Sequence, residues 1–167
     1  MKKGAIIALL VMGVHSGASA QGTTVYMTQL APYSDVLRVS RAIVEECALP
    51  RQQAELIVSE AAKAGITVVR DDQAAKAGKG RALQVEISEA ISMGHAFTGH
   101  RKQVNIKGRL FEDGKEIGDF VGIRSSMGGV FGGFQGSCAV LGRCAETLAS
   151  DVVRWLKNPA KGSRIGE

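Results

Sequence analysis

The chain has 167 residues, 45% of them hydrophobic and 22% charged, which is one domain's length with enough apolar material for a real core. Its formal charge of +5 is mildly basic, well short of a nucleic-acid polycation, and no nucleic-acid partner is expected. At the start, Lys2 and Lys3 precede a short apolar run from Ala5 to Val14 and a small-residue site at Ala18-Ser19-Ala20. This is the pattern of a secretory signal peptide over residues 1–20, and the run is shorter than the roughly 20 residues that span a bilayer. Cleavage before Gln21 leaves 147 residues, and the charge falls to +3 as the two lysines leave. No later segment is apolar enough for a membrane, so the mature product is expected in the periplasm, or secreted.

Residues 21–159 read as a single α+β domain. From Thr23 to Leu30 the β-branched and aromatic residues suit a first strand, which Pro32 ends. Ser34 and Asp35 are natural N-caps, and Val36, Val39, Ile43 and Cys47 then recur at helical spacing. Pro50 suits the first turn of a second helix, whose stripe of Ala54, Ile57, Val58, Ala61 and Ala62 stops at Gly65. Residues Ile66 to Arg70 form a short strand, and polar, glycine-bearing Asp71 to Gly80 reads as a loop.

Alternation resumes from Arg81 to Ser92, with Leu83, Val85, Ile87 and Ile91 on one face. Glu89 breaks the pattern, which marks a bulge or a strand end. After a loop from Gly94 to His100, Val104, Ile106 and Leu110 alternate with polar residues. Asp113-Gly114 then gives a tight-turn signal, and a return strand runs from about Glu116 to Ser126. A closing helix over about Gly142 to Lys157 carries Ala145, Leu148, Ala149, Val152 and Leu156 on one face, and Asn158-Pro159 ends it. Residues 160–167 read as a loose tail. The economical arrangement is a two-layer sandwich: a mostly antiparallel sheet with a three-stranded meander, and helices on one face.

Three kinds of site are open to these residues. The loop containing Gly128, Gly129, Phe131, Gly132, Gly133, Phe134 and Gly136 reads first as a flexible or bulged connection that lets Phe131 and Phe134 fold onto the core; it could instead bind an anion through backbone N–H groups or present aromatic rings to a partner. It has neither the Gly-Lys-Ser/Thr of a phosphate loop nor the dinucleotide spacing. Cys47, Cys138 and Cys144 suit one disulfide and one spare thiol in an oxidising compartment. A bond from Cys47 to either later cysteine closes a loop of roughly 90 to 100 residues, worth about 4 to 5 kcal/mol in the chain-entropy description, against about 2.4 for Cys138 with Cys144. The cysteines could instead bind metal with His95 or His100, although the spacings fit no zinc motif, and no metal or cofactor is expected. Lys102, Lys107, Arg109 and Arg124 could form a basic strand surface, or simply a solvated one. Ser125, Ser126 and Ser137 lie in no nucleophile elbow, so no catalytic residue is assigned.

Glu46-Cys47-Ala-Leu49 and the run Ser137-Cys138-Ala-Val-Leu-Gly-Arg-Cys144, with the hairpin at Gly114, resemble a family of small exported proteobacterial proteins of unknown function. More remotely, the element order is similar to the TolB N-terminal domain and the LpoB-type activators of peptidoglycan synthases. Unlike the latter, the chain has no cysteine at the expected mature start. The resemblance implies an envelope protein, with no known activity. The leading expectation is a noncatalytic binding or assembly partner whose contact surface is the Gly118 to Gly142 region and whose partner is an envelope protein. A thiol or metal-binding protein and a carrier of small anions are the alternatives.

Overall fold

A computed structural model describes residues 24–78, 80–95, 99–126 and 136–166, together with the backbone but not the side chains of 94, 95, 99 and 100. These residues build one six-stranded sheet in the order β2-β1-β3-β4-β5-β6, with β1 (Val25–Met27), β2 (Val68–Arg70), β3 (Arg81–His95), β4 (Gly99–Glu112), β5 (Lys115–Ser126) and β6 (Ser163–Ile165). The helices are α1 (Arg41–Glu46), α2 (Leu49–Lys63), α3 (Asp72–Ala77) and α4 (Ser137–Leu156). Strands β3, β4 and β5 form the expected antiparallel meander, while β1 runs parallel to β2 and β3, and β6 parallel to β5. The α+β class holds, with the meander at the centre of a mixed sheet.

The β4–β5 hairpin closes through Asp113 and Gly114, both left-handed at φ 47° and 79°, as a two-residue turn of this twist requires. Helices α2 and α4 cover one face of the sheet and pack against each other. Leu49, Ala54, Ile57 and Ala61 from α2 meet Leu141, Leu148, Ala149 and Val152 from α4 over Leu83, Ile87, Val104, Ile106, Leu110 and Phe120. Between the helices, fully buried Gln53 donates from Nε2 to the carbonyl of Ala145 at 3.2 Å.

Several expectations change. The helix expected from Ser34 is interrupted: Asp35 caps a single 3-10 turn over Val36–Arg38, Val39 is extended, and α1 begins after Ser40. Val39, Ile43 and Cys47 are still buried, but Val36 is exposed. The loop expected over Asp71 to Gly80 contains α3. Asp71 accepts from the N–H groups of Gln73 and Ala74 at 2.8 and 2.9 Å, and Gly78 ends the helix in the left-handed conformation.

In β3 the register slips between Ile87 and Glu89. That bulge reverses the alternation, so Ala90 and Ser92, and not Ile91, continue the helix-covered face. Helix α4 starts at Ser137, five residues earlier than expected, because Gly142 lies inside it: a β-carbon there would sit 2.9 Å from the Gln52 amide, so the glycine lets α2 approach. The tail expected to be loose supplies β6. The Trp155 indole donates to Ser163 Oγ at 3.0 Å and the Gly162 N–H to Asp119 Oδ1 at 2.9 Å.

Candidate functional site

With α2 and α4 on one face, much of the other face of the meander is left open. Outward positions of the pleat present Gln84 and Glu86 from β3, Lys107 and Arg109 from β4, and Asp119 and Val121 from β5, in register across the three strands. They line a groove of about 740 Å³ bordered by Thr28, Pro32 and the α3 residues Ala75 and Lys76. Carboxylates and cations alternate along it. Val121 is 41% exposed, a large apolar side chain standing among charges. Beneath the groove Phe120, on the inner side of the same strand, packs against Gly108 and edge-on against Trp155.

Nearer the far end of the meander the outer face becomes a closed polar ladder. Glu89 Oε2 accepts from Asn105 Nδ2 at 2.8 Å and from Gln103 Nε2 at 3.4 Å, and Gln103 also donates to Asn105 Oδ1. Arg101 donates to Gln103 Oε1. Glu89 therefore serves as the acceptor that satisfies two amides, with the bulge aiming it outward.

The basic strand surface suggested by Lys102, Lys107, Arg109 and Arg124 does not form. Lys107 and Arg109 face outward, but Lys102 and Arg124 lie on the helix-covered side, because even- and odd-numbered positions of one strand point to opposite faces. Arg124 donates through Nε and Nη2 to both oxygens of buried Asp151 at 2.8 and 3.0 Å, tying β5 to α4, and this contact raises the guanidinium pKa further. Lys102 Nζ donates to Ser92 Oγ at 2.6 Å and Ser137 Oγ at 3.1 Å.

Cys47, which follows α1, is bonded to Cys138 in the first turn of α4, across 91 residues and with 4.9 Å between α-carbons. Cys144 is a buried thiol; burial raises its pKa, partly offset by Arg143 and Arg124. The two later cysteines fall on different sides of α4, so only one meets Cys47. No set of three or more His, Cys, Asp and Glu among the described residues is placed to hold a metal ion. Gly136 is the N-cap of α4. The other glycine-loop positions, Gly128, Gly129, Phe131, Gly132, Gly133 and Phe134, lie outside the described residues, as do the 1–20 segment and the side chains of His95 and His100. Sequence reasoning missed the groove, since it depends on which face the helices leave open. Its local signs were the polar positions alternating along the strands, Gln84 and Glu86 in β3 and Lys107 and Arg109 in β4.

No family model matches the chain, and no curated protein matches its sequence. Solved structures do share its fold. Protein XCC0632 from Xanthomonas campestris, of family DUF330, superposes with a TM-score of 0.60 at 10% identity, over 81% of this chain and 83% of that one. The PelC dodecamer from Paraburkholderia phytofirmans gives 0.51 at 13% identity, over 78% and 89%. Lipoprotein GNA1162 from Neisseria meningitidis gives 0.47 at 13% identity, over 81% and 99%, too low to carry an argument. At such identities the likeness is one of fold. No described helix is long and apolar enough to cross a membrane.

Proposed function

We propose that the chain is an exported protein of the cell envelope that works by binding, without catalysing a reaction, and that the open face of its sheet receives a protein partner there. The groove carries this reading. Glu86, Glu116 and Asp119 interleave with Lys76, Lys107 and Arg109 around exposed Val121. Such mixed signs suit the equally mixed surface of a folded protein; a polyanion or an anionic membrane would select one sign. The signal-like residues 1–20 support export and a periplasmic location, with residues 21–159 as the domain's main body.

A photo-crosslinking side chain at Val121, introduced into the protein in its native envelope, should yield one discrete adduct. The same side chain at Leu37, 91% exposed in the 3-10 turn and outside the groove lining, serves as the control and should not. Lys107→Glu should abolish the Val121 adduct. No adduct above the Leu37 background, or one indifferent to Lys107→Glu, would sink the proposal. Because a protein of this fold forms a dodecamer in PelC, self-assembly is a second reading. An adduct of twice the chain's mass would select it.

A further inference from the structure

Lys102 keeps only 7% of its surface exposed, although it carries a full charge on the helix-covered face of β4. An ammonium held that deeply needs a counter-charge. Every Asp and Glu of the chain except Glu167 lies among the described residues, and none of their ion pairs includes Lys102. The nine residues that lead into Gly136, 127–135, contain no Asp or Glu. Its partners are hydroxyls: Nζ donates to Ser92 and Ser137, and Ser92 Oγ donates to Ser137 Oγ at 2.8 Å.

The same point receives a second source of positive potential. Ser137 is the first residue of α4, whose 20 residues make it the longest described helix. Ala139 and Val140 donate to the Gly136 carbonyl at 3.1 and 3.4 Å, and Gly136 offers no side chain to cap the N–H groups of Ser137 and Cys138 before them. A buried ammonium held only by hydroxyls, two hydroxyls that can turn to donate, and a helix N-terminus thus converge, with no ion pair to Lys102 among the described residues.

We infer that Lys102, Ser92, Ser137 and the first turn of α4 form a binding site for a phosphate group. Phosphate offers several strong acceptor oxygens and a charge that the ammonium and the helix end both complement. Part-exposed Ser92 and Ser137 form its mouth, and the Cys47–Cys138 bond fixes the helix end next to it. The group could arrive as free phosphate or as a lipid headgroup, and the chemistry of capture is the same. The site is separate from the sheet groove and does not depend on it.

The test is a backbone-amide NMR titration of the oxidised protein with inorganic phosphate at fixed ionic strength, in parallel with vesicles containing phosphatidylglycerol. Saturable shifts centred on Ser92, Lys102, Ser137 and Cys138 are expected, with affinity lowered about tenfold or more in Lys102→Met. Ser137→Ala should lower it less while leaving the melting temperature unchanged. Tighter binding to vesicles, with the same dependence on both variants, would make the source a headgroup; binding to phosphate alone would make it the free anion. Absence of saturable shifts with either probe overturns the site. Should Lys102→Met fail to fold, native affinity in Ser137→Ala would do the same.

Discussion

A β-carbon at Gly108 would lie 2.3 Å from the ring of Phe120, and Phe120 meets Trp155 edge-on with 4.8 Å between ring centroids. The glycine thus makes room for an aromatic pair that joins the middle of the sheet to α4. Gly108→Ala should cost about 1 to 3 kcal/mol, the usual range for overpacking, read as a lower urea midpoint followed by Trp155 fluorescence. Cys144 gives a test of opposite character. Burial holds its thiol above the ordinary value of 9.0, so the folded state keeps the proton longer than the unfolded chain does. Its contribution is fully present below the unfolded pKa and is lost as pH rises through the folded one. Alkaline titration should therefore lower the melting temperature of the native protein more than that of Cys144→Ala, and equal slopes would show that the thiol is not the titrating group. Tyr33, whose pKa burial also raises, destabilises in the same direction at higher pH and is common to both proteins.

Among the elements, the disulfide links α1 to α4 without being part of the sheet. Replacing Cys47 and Cys138 together by Ala should cost about 2 to 5 kcal/mol, seen as a melting temperature well below that of the oxidised protein and equal to that of the reduced native chain. Elements that announce themselves locally were legible in the sequence. Asp113-Gly114 between two alternating runs could hardly be anything but the turn it is, and Pro50 with its apolar stripe marked α2. What could not be read were elements set by distant contacts. Strand β6 is three residues long and exists because β5 offers it an edge and Trp155 and Asp119 hold its approach. Helix α3 hid behind its charges, although Asp71 as N-cap and Gly78 as terminator were both present. The bulge at Ser88 is the most consequential case: without it Ser92 would face outward, away from Ser137.

At the level of the whole molecule, α2 and α4 leave the sheet with one sealed face and one largely open, and the proposed functions divide between them. The groove on the open face concerns partners as large as the protein itself. The site proposed at Lys102, on the sealed side, concerns a single phosphate. Neither was visible as a motif: the groove depends on which face of the β3–β5 meander the helices leave open, and the Lys102 site joins β3 and β4 to the distant start of α4. Of the candidates that were visible, Cys47 and Cys138 are joined and Cys144 is enclosed. That arrangement makes the order of events matter during maturation. In an extended chain the six-residue interval between Cys138 and Cys144 closes far more readily than the 91-residue one, so an oxidant acting before collapse favours the bond that the folded protein lacks. Burying Cys144 first removes it from competition and leaves Cys138 facing Cys47. The fold thus acts as its own proofreader of thiol chemistry, and any factor that oxidises this protein must wait for it or be followed by one that reshuffles.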